Sequence, residues 1–243
     1  MGTIKRNKVM LGKCDMMNFV SDNKLKPILH SVVKYTDGTM VATNSYILIC
    51  NRDARAISRL PESEKPDRAT VEYIPYDSAD GDCIKIVGTP PNVFNSGWYD
   101  HYDAHWHPMD VQEFVKDLEW YKRQKFKKSE IRYSAIRMIL TETDEVGTYV
   151  PTYNCEYVEL LCEFAKNGIE SVERRVVQGE HDCPVLYVMD KLGNSILLMP
   201  INQPRADHSS DYLINNEKVG LCVIKRDDNF IRTMPEKRTK QNN

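Results

Sequence analysis

An Asp-Gly pair at 37–38 stands between two runs of β-forming residues, 28–35 and 39–50. Both residues tolerate positive φ, so the pair predicts a tight hairpin that commits its flanks to antiparallel pairing. A chain built of helices alone is excluded. Further along, 172–178, 184–190 and 195–201 read as a three-strand meander, with Leu192-Gly193-Asn194 as its last turn. Val172 and Val176 alternate with Arg174 there, the pattern of a sheet with one wet face. Strands are also expected at 70–74 and 83–87, around Asp80-Gly81, within 131–140 and at 221–225.

Helical signals are fewer. Asp15 can cap a short helix carrying Met16, Met17, Phe19 and Val20, which Pro27 limits. Asp110 and Glu113 form a D-x-x-E start before Val111, Phe114, Val115, Leu118 and Tyr121 at helical spacing, predicting a helix over 110–124. Another follows Asn154, with Tyr157, Leu160, Leu161 and Phe164 on one face and Gly168 to end it. The charged and polar stretch 51–65 and the proline-, aromatic- and histidine-rich stretch 89–108 read as loops, and 203–243 as a polar extension. The class is α+β, an antiparallel sheet packed on two helices.

Composition narrows the function. Hydrophobic residues make up 41% and charged residues 28% of 243, as in ordinary globular proteins. A net charge of −2 excludes a histone-like polycation but allows a local basic face. Apolar runs are as short as 46–50, far below the roughly 20 residues that span a bilayer. No secretory leader is legible, and the expected location is the cytoplasm. Seven cysteines at scattered spacings, without a C-x-x-C pair, speak against a disulfide scaffold or a zinc finger; Cys14 and Cys162 read as small core residues. Phosphate-loop, dinucleotide, zinc-protease and nucleophile-elbow motifs are missing. No catalytic residue and no cofactor is assigned.

Two segments carry chemistry. In 100–107, His101, Asp103, His105 and His107 are spaced so that, on a strand, Asp103, His105 and His107 point one way, a weak candidate for a divalent metal. The competing reading is a surface loop with histidines in water. Between 119 and 137, seven basic residues face two acidic ones, interleaved with Trp120, Tyr121, Phe126 and Tyr133. Lys122, Arg123, Lys125, Lys127, Lys128 and Arg132 are the candidate DNA contacts, since cations neutralise phosphates and aromatics stack on bases. The alternative is a solvated helix end whose lysines answer the helix dipole.

A resemblance joins the two ends of the chain. Leu25-Lys26-Pro27-Ile28-Leu29, through Val32 and Val33 to Asp37-Gly38-Thr39-Met40-Val41-Ala42-Thr43-Asn44-Ser45-Tyr46-Ile47-Leu48, resembles the hairpin of bacterial sliding clamps, the β subunit of DNA polymerase III. Tyr149-Val150-Pro151 and the helix with Tyr157, Leu160 and Leu161 precede the meander, whose close Leu197-Leu198-Met199-Pro200-Ile201 is similar to the methionine-proline-methionine ending of that family's last strand. The resemblance covers roughly 15–58 and 146–202. It implies one divergent clamp-like domain over 1–202, with 59–145 an enlarged insertion. It also implies a groove for a short peptide of a replication protein, formed from Thr43, Tyr46, Leu48, Leu197, Met199, Pro200 and Ile201. Asn44-Ser45 and Tyr46-Ile47 depart from the family's aspartate-glycine and histidine-arginine.

The resulting expectation is a non-catalytic, clamp-like, DNA-associated protein, a replication or processivity accessory factor of a mobile element, able to self-associate and with no membrane partner. Alternatives are a clamp-fold protein-interaction module without DNA binding and a metal-dependent enzyme using 100–107. All rest on the two ends sharing one sheet, with Val41 and Leu198 beneath the same helical layer.

Overall fold

The computed structural model describes residues 5–26, 28–67, 70–78, 84–87, 92–95, 99, 104–123, 136–138, 153–177, 185–200 and 222–224. Nine strands form the main sheet: β1 (Ser31–Tyr35), β2 (Met40–Thr43), β3 (Ile47–Cys50), β4 (Thr70–Pro75), β5 (Ile84–Val87), β6 (Ala104–Pro108), β7 (Ile169–Val177), β8 (Val185–Asp190) and β9 (Ser195–Leu198). Their spatial order is β6-β7-β8-β9-β3-β2-β1-β4-β5, and every neighbouring pair is antiparallel. Among the described residues the α-helices are α1 (Ala54–Arg59), α2 (Val111–Arg123) and α3 (Cys155–Phe164). The class is α+β.

The two ends do share one sheet. The meander β1-β2-β3 meets the meander β7-β8-β9 where β3 pairs with β9, aligning Ile47 with Leu198, Leu48 with Leu197, Ile49 with Ile196 and Cys50 with Ser195. The hairpin at Asp37-Gly38 forms as expected: Gly38 has φ 84° and the Asp37 carboxylate accepts from the Thr39 amide at 2.9 Å. At the other end Gly193 has φ 80°, and Asp190 accepts from the amides of Leu192 and Asn194, both at 2.9 Å.

Both faces of the sheet are covered. Successive residues alternate between two cores, so the central strands read as unbroken apolar runs rather than as apolar-polar alternation. Val32, Ala42, Ile47, Ile49, Ile196 and Leu198 face Met16, Met17 and Phe19, together with Phe114 and Leu118 of α2 and Val158 and Leu161 of α3. Val33, Val41, Leu48, Cys50, Tyr187 and Leu197 face Ala54 and Ile57 of α1, with Val93, Phe94 and Tyr99. Val41 therefore does not lie beneath the helical layer that covers Leu198. It points to the opposite face, because Ala42 takes the helix-side position in β2.

Other expectations are corrected by local geometry. The run 39–50 is two strands, since the chain turns at Asn44-Ser45: Ser45 has φ 82°, and Asn44 Oδ1 accepts from the amides of Tyr46 (3.0 Å) and Ile47 (3.1 Å). The stretch 51–65 contains α1, whose N-cap Asp53 accepts from Ala56 N at 2.9 Å. The stretch 89–108 ends in β6, held by Trp106, whose indole donates to the Tyr99 carbonyl at 2.7 Å. The short helix after Asp15 is a single 3-10 turn, Met16–Asn18, capped by Asp15.

The segment 59–145 contributes β4 and β5 at one edge of the sheet, β6 at the other, and α2 beneath it. Within 203–243 the described residues form one strand, Cys222–Ile224, which pairs in parallel with Ile136–Met138.

Ile196 lies at the β3–β9 joint with no exposed surface. Ile196→Ala is expected to cost about 2–5 kcal/mol in urea unfolding. Leu192→Ala, at a turn residue 64% exposed, should change stability by less than about 0.5 kcal/mol.

Candidate functional site

The residues expected to recruit a partner are brought close together but are not equally accessible. Leu48 and Leu197 oppose each other across the β3–β9 ladder, each 2% exposed in the core under α1. They pack that core and present nothing to a peptide. Thr43 is also buried; its hydroxyl donates to the Ile47 carbonyl at 2.8 Å and accepts from Ser45 N at 3.1 Å, closing the turn. Met199 is half-buried against the same core, and its amide donates to the Tyr46 carbonyl at 2.8 Å. Pro200 is buried, and Ile201 lies outside the described residues. Tyr46, 61% exposed at the tip of the turn, is the member of this set open to solvent.

Among the candidate DNA contacts, Lys122 lies in the last turn of α2 and donates to the Cys162 carbonyl of α3 at 3.0 Å. Arg123 closes α2. Lys125, Lys127, Lys128 and Arg132 lie outside the described residues, as do His101 and Asp103. His105 and His107 are exposed on β6 and share one side of the strand, with His107 in register with Arg174 of β7. No group of three or more His, Cys, Asp or Glu among the described residues could hold a metal ion.

Tyr46 and Lys122 border one cleft of about 960 Å³. Its walls are the Met16–Asn18 turn and the loop to Asp22, the Asn44–Tyr46 turn, and the outer face of α3. Helical periodicity sets that face. Asn154 caps α3 by accepting from Glu156 N at 2.9 Å, and Val158, Leu161 and Cys162 turn into the core. This turns Glu156, Glu159 and Glu163 to the cleft. The Tyr46 and Tyr157 rings stack at 6.2 Å with 20° between their planes. The Tyr157 hydroxyl is hydrogen-bonded to the Asn44 side chain, and burial is the main cause of its raised pKa.

The cleft carries four carboxylates, Asp22, Glu156, Glu159 and Glu163, against the amines of Lys122 and Lys166. Lys166 is paired with Glu163. An aromatic pair beside amides and carboxylates suits a polar or cationic partner group better than a phosphate. Cys162 lines the same cleft, but burial pushes its thiol up to about 12, so no thiolate nucleophile is present there at neutral pH.

No protein-family model matches the chain, and no curated protein sequence matches it.

Reading the sequence singled out Tyr46 and Lys122 but missed Asn44 and the outward carboxylates of α3 as parts of one site. The Asn-Ser dipeptide between two apolar runs is a turn signal that could have found the first.

Cys14, Cys50 and Cys162 are buried, and desolvation raises each thiol to about 12. Site-resolved labelling with a thiol reagent at about pH 8, near the ordinary cysteine pKa, should leave these three unmodified in the folded protein and modify them in denaturant. Rapid labelling of Cys162 in the native state would contradict its placement.

Proposed function

We propose that the chain is a non-catalytic, clamp-like, DNA-associated protein, an accessory factor in replication or processivity. The observation that carries this reading is the β3–β9 joint: two three-strand meanders meet edge to edge, and α2, α3 and the Met16–Asn18 turn cover one face of the resulting sheet. That two-part plan is what the sliding-clamp resemblance of the two chain ends implies for a single domain. The hairpin at Asp37-Gly38 and the Leu197-Leu198-Met199-Pro200 close, which carry the resemblance, flank this joint.

DNA contact in this reading belongs to the basic run that begins at the end of α2: Lys122, Arg123, Lys125, Lys127, Lys128 and Arg132. Counterion release by these groups gives binding that weakens steeply with salt and carries no base preference. The absence of nucleotide-binding and hydrolase motifs in the sequence favours a role by holding rather than by chemistry. No helix among the described residues is long and apolar enough to cross a membrane.

A second reading is favoured by one specific observation. The outward face of α3 is acidic, with Glu156, Glu159 and Glu163, and would repel a phosphate backbone laid along it. A clamp-fold module that docks a protein partner at the Tyr46–Tyr157 cleft, without DNA, fits that face.

Retention on duplex DNA separates the two. The first reading expects binding at about 50 mM salt that falls by orders of magnitude by about 200 mM. Reversing Lys125, Lys127 and Lys128 to Glu should abolish it. Absence of binding at the lower salt would overturn the DNA reading.

A further inference from the structure

His30 ends the loop that follows Ser21 and leads into β1. Two bonds close the neck of this loop. The Ser21 amide donates to the Leu29 carbonyl at 2.6 Å, and the Ser21 carbonyl is the partner of His30 Nδ1 at 2.5 Å. A carbonyl can only accept, so Nδ1 carries the hydrogen. In a neutral imidazole the other nitrogen, Nε2, is then a bare acceptor.

Nε2 is buried and lies 3.6 Å from Asp77 Oδ1, just beyond ordinary hydrogen-bond distance. The residue is only 8% exposed. An acceptor thus faces a carboxylate, which is unfavourable until one of them gains a proton. Asp77 is held ionised: the hydrogen bond from Lys24 Nζ, 2.6 Å from its other oxygen, keeps its carboxyl below the usual range. A proton on Nε2 would turn this facing pair into a donor and an acceptor.

We propose that His30 is a proton-operated tie between the Ser21–Leu29 loop and Asp77. With Nε2 bare, the ring holds the loop through Ser21 alone. When Nε2 takes up a proton from solvent, it donates to Asp77 Oδ1, and the loop is bonded at both ring nitrogens to fixed partners. Asp77 is a firm anchor, because it lies in the short strand Asp77–Ser78 paired with Lys5–Arg6. His30 is itself tied in, its carbonyl accepting from Tyr76 N at 3.0 Å.

Other charged and titratable groups also face this corner. They are Asp22 and Lys24 of the loop, Tyr76, whose ring lies 5.4 Å from the imidazole, and Arg6, whose guanidinium lies 5.1 Å over Tyr76 and pairs with Asp15. Imidazole is the side-chain class whose ordinary charge change falls between about pH 5 and 8. Ser21 and Asp22 also line the Tyr46–Tyr157 cleft. Protonation of His30 thus stiffens one wall of that cleft, whatever the cleft binds.

Hydrogen exchange of the loop amides tests this on the intact chain. Ser21, Lys26 and Leu29 donate to backbone carbonyls at the loop neck and within the loop, so their exchange reports its opening. After correction for intrinsic rates, their protection should rise at least about fivefold from about pH 7.5 to about pH 5.5, the span of imidazole titration. Amides of β8 should show no matching change. The rise should vanish in Asp77→Asn, which keeps the loop's backbone bonds but loses the carboxylate facing His30 and Lys24, and in His30→Gln. It should persist in Lys24→Met, which removes the loop's other bond to Asp77 and leaves the His30 pairing. Equal protection at the two pH values, a rise that survives Asp77→Asn, or a parallel change in β8 would each overturn the proposal. If His30→Gln fails to fold, the Asp77→Asn result decides alone.

Discussion

The ladder between β3 and β9 joins residues nearly 150 positions apart, and most of the molecule is arranged around it. Closing so long a loop costs conformational entropy that local contacts cannot return. The return comes from burial on both sides of the joint. Ile47, Ile49, Ile196 and Leu198 go under α2 and α3, while Leu48, Cys50 and Leu197 go under α1. Polar groups then fix the register. The Ser195 hydroxyl donates to the Arg52 carbonyl at 2.6 Å and accepts from Ala54 N at 3.0 Å, linking the start of β9 to the first turn of α1. A one-residue slip would exchange the two cores and break both bonds.

A second network anchors the edge of the sheet to this centre. Arg55 of α1 makes a two-pronged pair with Glu173 of β7, and its guanidinium lies 5.1 Å over Trp106 and 4.9 Å over Tyr187. Desolvation alone would lower the Arg55 pKa, but the Glu173 carboxylate more than offsets it and the charge is kept. The Tyr187 hydroxyl donates to Asp53 Oδ1 at 2.5 Å, and burial with the nearby carboxylate pushes its pKa far up, so it remains a donor. One arginine between two aromatic rings thus connects α1, β6, β7 and β8. A run of sequence that looks like two polar loops becomes part of the scaffold.

The cleft with Tyr46 and Tyr157 follows from the same layering. Covering one sheet face with α3 leaves that helix an outer side, and helical spacing puts Glu156, Glu159 and Glu163 there. The turn at Asn44-Ser45 brings Tyr46 up beside it, because the Asn44 side chain satisfies two amides and Ser45 takes a positive φ. Lys122, where the basic run begins, donates to the Cys162 carbonyl and borders the same cleft as the acidic wall.

Local chemistry was legible in the residues themselves. Asp-Gly and Leu-Gly-Asn set the turns at 37–38 and 192–194, Asp110 and Asn154 start α2 and α3, and Gly168, with φ 84°, ends the helical run before β7. These signals act within a few residues and need no partner. The six-residue helix α1 and the strand β6 were not legible, since each is stabilised by contacts with residues distant in sequence: Ser195 and Tyr187 for the first, Tyr99 and β7 for the second. Nor could spacing assign Val41 and Leu198 to faces, because strands buried on both sides lose the alternation that marks an inside and an outside. The sequence by itself determined the turns at 37–38 and 192–194 and the coiling of α2 and α3. Tertiary structure alone decided which face each apolar residue serves, and that Tyr46, Asn44 and Tyr157 share one cleft, because those choices depend on which strands become neighbours.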